Sequence, residues 1–308
     1  MSLHRIVSVR LAVPNVQEVA TYYEDFGLLR NETRFSTTDG GEQLILESGP
    51  RRRAIEVTVG VDDMDDLDRI YRQLRSLNVR GKQTDESVSA YDKFTEVTFT
   101  AAIAPHIVPT VVLPPEYNSG GRAPRLNARA PALARNNQVR PRKLGHVVLG
   151  STDFESSRRL LADGFGLKLS DLVVGVGAFM RCSTDHHNIF VQKSPIPFLH
   201  HTSWQVDDVD EVGRGATAMI ESDPHRHTWG LGRHYIGSNF FWYLRDPAGN
   251  FSEYYSDMDA IVDEQLWEPG IWDSTNKHAG WAWGLQIPQS FIHPEDLAAY
   301  MVGAHSKE

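Results

Sequence analysis

A four-fold repeat constrains this chain more than any other feature. VSVRLAVPNVQEVATYYEDFGL, residues 7–28, reads as an alternating strand, a polar turn and an amphipathic helix that closes on FGL. GHVVLGSTDFESSRRLLADGFGL, residues 145–167, repeats that plan down to the closing FGL. AIEVTVGVDDMDDLDRIYRQL (54–74) and HHTSWQVDDVDEVGRGATAMI (200–220) keep the same order. Met64, Leu67, Ile70 and Leu74 fall on one helix face in the former, and Val209, Val212, Ala216 and Met219 in the latter. The aspartates in the turns suit helix N-termini, where a carboxylate caps free N–H groups. Short β-rich runs follow each helix, among them QLILESG, FTEVTFTAAI, GAFMRCS, HNIFVQK and NFFWYLRD. The unit is therefore a strand, a helix and a few strands, four times over.

The 308 residues suffice for two domains, each with its own core. The expected organisation is a non-catalytic two-unit domain over 1–115, an Arg/Pro-rich linker over 116–142, a catalytic two-unit domain over 143–258, and a tail or lid over 259–308. PEDLAAYM in that tail predicts a short helix, with Pro294 near its start. The linker arginines are expected to pair with acidic surface of this chain or a neighbouring subunit.

The formal net charge is -9, which argues against nucleic acid or an anionic membrane as the main partner. With one cysteine, Cys182, no disulfide framework or thiolate cluster can form within the chain, and a cytoplasmic setting is expected. No signal peptide is read at the start, and no apolar run is long enough to span a bilayer. Chemistry-bearing residues gather in the second half. Before His146 the histidines are only His4 and His106, and every tryptophan lies beyond residue 200.

Aligning the units by their turns sets His146 against Ser8 and His201 against Glu56. The first half thus reads as a copy without the histidines. His146 and His201 lie on matching strands of paired units, so an internal symmetry can aim both side chains at one point. Glu253 interrupts the aromatic strand FSEYY, where a carboxylate is costly to bury without a partner. Two histidines and a carboxylate form the facial triad of non-haem Fe(II) sites, and zinc also takes this set. Residue types alone leave both open.

Four motifs carry a family resemblance: GHVVL at 145–149, HN at 187–188, LHH at 199–201 and GRHYIGSNFFWYLRDPAGNFSEYY at 232–255. The second half resembles the type I extradiol ring-cleaving dioxygenases of the vicinal oxygen chelate superfamily, and is most similar to the homoprotocatechuate 2,3-dioxygenase branch. That resemblance implies an α+β fold of four βαβββ modules paired into two glyoxalase/bleomycin-resistance-like domains. It implies Fe(II), with Mn(II) as the other ion the ligand set accepts, held by His146, His201 and Glu253. It implies an acid/base histidine at His187, a tyrosine bonding a substrate oxygen at Tyr243, and a histidine beside it at His234. The partners implied are a catechol and O2, in a homo-oligomer such as a tetramer. His186 and His200, the first members of their pairs, are expected on the opposite side of the strand or at its edge, in structural roles such as a hydrogen bond.

The resemblance is incomplete at the substrate end. Homoprotocatechuate enzymes hold a carboxylate with arginines, one of them five residues before the GRH histidine. Here that place is Trp229, and Arg245 is the last arginine in the chain. An apolar pocket is therefore expected, with Trp229, Phe179 and Trp242 lining it, for an uncharged substituted catechol. The alternatives are a metal-dependent isomerase or transferase of the same fold, for which His187, Tyr243 and His234 together have no use, and a binding module, which would lack the ligands.

Overall fold

The computed structural model describes residues 3–276 and 279–293. The expected helix PEDLAAYM lies outside these residues.

The four repeats are four βαβββ modules. The first comprises β1 (Arg5–Val13), α1 (Val16–Asp25), β2 (Leu29–Asn31), β3 (Arg34–Thr37) and β4 (Gly41–Ser48). The second comprises β5 (Arg53–Val61), α2 (Met64–Ser76), β6 (Gly81–Gln83), β7 (Ser87–Asp92) and β8 (Val97–Ile103). β9 (Lys143–Ser151), α3 (Phe154–Arg159), β10 (Lys168–Val174), β11 (Gly177–Arg181) and β12 (Ile189–Lys193) make the third. β13 (Phe198–Gln205), α4 (Val209–Ser222), β14 (His227–Arg233), β15 (Phe240–Arg245) and β16 (Phe251–Ser256) make the fourth. Asp63, Asp153 and Asp208 each cap their helix by accepting a backbone N–H three residues on.

Modules pair through their first strands. β1 and β5 run antiparallel at the centre of an eight-stranded sheet ordered β2-β3-β4-β1-β5-β8-β7-β6. β9 and β13 do the same in a second sheet. Two short tail strands, β17 (Gly270–Asp273) and β18 (Trp283–Gly284), extend that sheet at opposite ends, giving the order β17-β10-β11-β12-β9-β13-β16-β15-β14-β18. The tail ends, among described residues, in a helical turn, α5 (Gln289–Ile292).

The expectation of separate cores is not met. The largest buried apolar cluster draws on both halves. The packing is reciprocal: α1 and Phe26 after it pack on the second sheet, while Phe165 after α3 packs on Phe99 of the first, with ring centroids 6.2 Å apart. Phe26 stacks on Tyr254 with ring centroids 3.8 Å apart, and the Tyr254 hydroxyl donates to the Phe26 carbonyl at 2.7 Å. Between the halves, residues 104–142 hold no strand of either sheet, and one short 3-10 turn over Pro131–Ala134. Arg135 pairs with Asp208 at 2.8 Å and Arg142 with Asp207 at 2.6 Å, on acidic surface of this chain.

Both FGL turns use glycine in the left-handed region, at φ +95° for Gly27 and +88° for Gly166. Their surroundings differ. A Cβ on Gly27 would meet the Val139 carbonyl oxygen at 1.9 Å, whereas on Gly166 the nearest atom is a guanidinium nitrogen of Arg69 at 3.6 Å. Gly166→Ala is expected to cost only backbone strain, about 1–2 kcal/mol. Gly27→Ala adds a main-chain clash and is expected to cost roughly 2–5 kcal/mol. Urea midpoints of the two variants, compared at equal slope, check the order.

No helix among the described residues is long and apolar enough to cross a membrane.

Candidate metal centre

Sheet register lines up the candidate residues. His146 on β9 faces Ser203 on β13, Ser203 faces Glu253 on β16, Glu253 faces Tyr243 on β15, and Tyr243 faces Trp229 on β14. His201 stands two residues before Ser203, on the same side of its strand. Three ligand atoms thereby converge. His146 Nε2 lies 3.2 Å from His201 Nε2 and 3.0 Å from Glu253 Oε2, and His201 Nε2 lies 3.7 Å from that oxygen. An ion holding such ligands at about 2.1 Å spaces neighbouring ones by roughly 3 Å, so the trio suits a small divalent metal.

The burial of these groups supports that fit. Glu253 is 0% exposed, His146 2% and His201 6%. Asn239 Nδ2 donates to Glu253 Oε1 at 3.2 Å, but Oε2 is buried with no hydrogen-bond donor among the described residues. A carboxylate in that state is destabilising unless a cation completes it.

The first sheet shows the same register without this chemistry. Ser8 faces Thr58 and Thr58 faces Thr100, so Ser8, Glu56 and Thr100 stand where the second sheet has His146, His201 and Glu253. There the carboxylate is satisfied locally, Glu56 taking Arg10 at 3.3 Å and the Thr100 hydroxyl at 2.7 Å. A second group of candidate ligands, His4, Asp62 and His106, is partly or fully exposed. Its imidazoles stack face to face at 4.0 Å, an orientation in which their in-plane lone pairs do not converge.

The other predicted residues flank the trio on two sides. His187 precedes β12; its ring lies 4.3 Å from that of His146 and 4.9 Å from Phe179. Burial, then the neighbouring His146 and other imidazoles, push the His187 pKa well down, so the ring is neutral. On the far side, His234 Nε2 and the Tyr243 hydroxyl are 2.9 Å apart, and His234 Nδ1 lies 2.8 Å from the Gly280 carbonyl. A carbonyl only accepts, so Nδ1 carries the hydrogen and the neutral ring takes the tyrosine proton at Nε2. Burial and the nearby Glu253 hold Tyr243 well above the usual phenol range.

A cavity of about 840 Å³ opens onto these groups. Trp229 and Phe179 line it, as do Val148, Val173 and Ile236, and no arginine does. Tail residues form one wall, including Trp281, Ile287 and Phe291. Trp242 is a correction: it does not line the cavity. It alternates with Tyr243 along β15 and bonds His227 at 3.0 Å on the other face.

His200 is a second correction. It does not lie across the strand from His201, because β13 carries a bulge there. Leu199 faces Leu149 and His201 faces Val148, so His200 is the extra residue and both rings reach the cavity. The expected hydrogen bond is present, from His200 Nε2 to the Phe291 carbonyl at 2.9 Å. His186 lies in the loop before β12, its Nδ1 3.1 Å from that of His187 and its Nε2 3.5 Å from Asp171. Sequence reasoning missed Asn239, which stands inside the long motif but carries no spacing signal of its own, and Phe291.

Residues 143–254 match the Glyoxalase/Bleomycin resistance protein/Dioxygenase superfamily. This segment is a domain of that superfamily. The superfamily domain contains the whole trio. Over 191 residues the chain is 35% identical to "Metapyrocatechase 2" of Cupriavidus necator, an alignment spanning 59% of this chain and 59% of that protein. In solved structures, the Mn(II)-bound glyoxalase from Novosphingobium aromaticivorans has 21% identity and a TM-score of 0.74, covering 96% of this chain and 95% of that one. Homoprotocatechuate 2,3-dioxygenase from Arthrobacter globiformis has 16% identity and a TM-score of 0.74, covering 95% and 91%. These structural likenesses show a shared fold over nearly the whole chain.

Proposed function

We propose that the protein is an extradiol dioxygenase, opening a catechol-type ring beside its diol with both atoms of O2. The observation that carries this reading is the buried carboxylate of Glu253, whose Oε2 has no donor and faces two imidazole nitrogens beneath an apolar cavity. His146, His201 and Glu253 would hold the ion, proposed as Fe(II), with Mn(II) the alternative for the same donor set. When bound, such an ion would supply Lewis-acid binding of the diol and a redox centre for dioxygen.

The surrounding residues divide the remaining work. His187, neutral, is poised to take a proton from one side of the trio and return it. On the other side the Tyr243 hydroxyl, its proton directed at His234 Nε2, is left with a lone pair that accepts a hydrogen bond from a protonated substrate oxygen. Trp229, Phe179 and the valines exclude water from the ring's flank. Among the described residues the lining holds one lysine, the exposed Lys193, and no arginine, so it offers no guanidinium fork for a substrate carboxylate. The proposed substrate is therefore an uncharged, substituted catechol. The name of the Cupriavidus necator relative, a metapyrocatechase, agrees with this reading.

A cytoplasmic homo-oligomer is proposed as the working form, with neither membrane nor nucleic acid as partner. The single cysteine supports the compartment. The strongly exposed Val108, Val111 and Leu113, in the segment that joins β8 to β9, support an apolar subunit contact. An isomerase or transferase of the same fold is the second reading, and the Mn(II)-bound glyoxalase likeness keeps it in view.

Oxygen uptake by Fe(II)-loaded protein with neutral and carboxylated catechols tests the proposal. The expected result is uptake with a yellow product, with 4-methylcatechol ahead of homoprotocatechuate. No uptake with any catechol, from protein that retains its metal, would move the assignment to the second reading. The reverse ranking would remove only the uncharged-substrate claim.

A further inference from the structure

The tail meets the trio by a second route besides walling its cavity. The Phe291 carbonyl accepts from His200 Nε2 at 2.9 Å, and His200 Nδ1 lies 2.7 Å from His201 Nδ1. Proton positions along this chain follow from what each group can do. A carbonyl has no hydrogen to give, so His200 Nε2 must carry one. A neutral imidazole carries a single hydrogen, so with Nε2 donating to the Phe291 carbonyl the buried His200 ring has Nδ1 left as a bare acceptor. The hydrogen between the two rings therefore belongs to His201 Nδ1. His201 Nε2 then keeps its lone pair, and Nε2 is the atom that faces His146 and Glu253. In the other tautomer that nitrogen would carry a proton and have nothing to offer a metal. His146 has no such support, since its Nδ1 is buried without a hydrogen-bond partner among the described residues.

We propose that the tail segment at Phe291, acting through its main-chain carbonyl and His200, holds His201 in the tautomer that binds metal and so sets how tightly the protein keeps its ion. This rests on the reading of His201 as a ligand. His200 is a positioning residue in it, and the bulge in β13 is what brings its ring to the same side as its neighbour's. Phe291 secures its own carbonyl by packing on His200 at 4.6 Å, Tyr243 at 4.5 Å and Phe251 at 5.1 Å between ring centroids.

The test uses full-length, metal-freed protein and Mn(II) as the probe. Affinity is read from the paramagnetic signal of the free ion, and dissociation from transfer to excess chelator. His200→Phe and Phe291→Ala are each expected to weaken Mn(II) binding by about 10–100-fold, the usual effect of losing a partner behind a ligand. Because they break one chain, the double variant is expected to bind no worse than the weaker single. His200→Asn, whose side-chain oxygen can stand in for Nδ1, is expected to recover most of the loss. Nitrogen-15 shifts of the unsubstituted metal-free protein give a reading independent of any variant, with the Nδ1–H form of His201 expected. Unchanged affinity and dissociation in His200→Phe, multiplying effects in the double variant, or an Nε2–H form of His201 would each overturn the inference. His201→Ala separates the two layers: if it binds Mn(II) as tightly as the unsubstituted protein, the ligand reading itself falls.

Discussion

Glu253→Gln is expected to abolish metal retention and, at the same time, to make the metal-free protein more stable. The carboxylate is 0% exposed, one oxygen has no donor, and the groups paired with it are imidazoles. Glutamine replaces the buried carboxylate and keeps the Asn239 contact on the other atom. The gain should be roughly 1–3 kcal/mol, the usual scale for an unsatisfied buried polar group. Metal reverses the order. The unsubstituted protein is stabilised by the ion in proportion to the logarithm of its concentration over Kd, and the glutamine variant gains nothing. Melting curves with and without Mn(II) should therefore cross in rank. A variant less stable than its parent without metal, and protected by metal to the same degree, would show that Glu253 is a structural carboxylate.

His187→Phe is expected to lower kcat by about 10²–10⁴-fold, the range for loss of a positioned acid/base group. Phenylalanine fills the same space beside Phe179 and His146 but cannot carry a proton. Metal content should stay that of the parent, because His187 is not among the three converging ligands. Tyr243→Phe should fall less, by about 10-fold, since it removes one hydrogen bond and leaves the ring in place. Steady-state rates beside metal analysis of the same samples check both. Loss of metal from His187→Phe would mean that the histidine supports the trio rather than the proton transfer.

The modular plan was legible because its signals are local. Helix faces recur in matching places, aspartate caps in three modules and FGL turns in the first and third, and the backbone keeps one plan through all four. The alignment of Ser8 with His146 and Glu56 with His201 reappears in the pairing registers. What escaped was set by contacts distant in sequence or by one-residue slips. His200 changes side through a bulge, which an alternating pattern does not announce. Trp242 was expected to line the cavity, but it neighbours Tyr243 on β15 and successive strand residues face opposite ways. Separate cores were expected because nothing in α1 names Tyr254 as its partner. The tail carries an alternating run, Trp281, Trp283, Leu285 and Ile287, but nothing in it names the cavity as its place, so its wall and its carbonyl contacts, at Gly280, Leu285 and Phe291, come into view only in three dimensions.

The first sheet bears on the order of events in the protein's life. It forms the same strand order and register as the second with Ser8, Glu56 and Thr100 in place of the trio. The scaffold thus assembles where no ion can sit, unlike small metal-dependent folds whose chains are unfolded until loaded. On the proposed metal reading, maturation is expected to divide into two stages, with the sheets closing first and the ion entering a finished socket. A cell short of metal would then accumulate folded but idle protein, a reserve that later supply could activate without new synthesis.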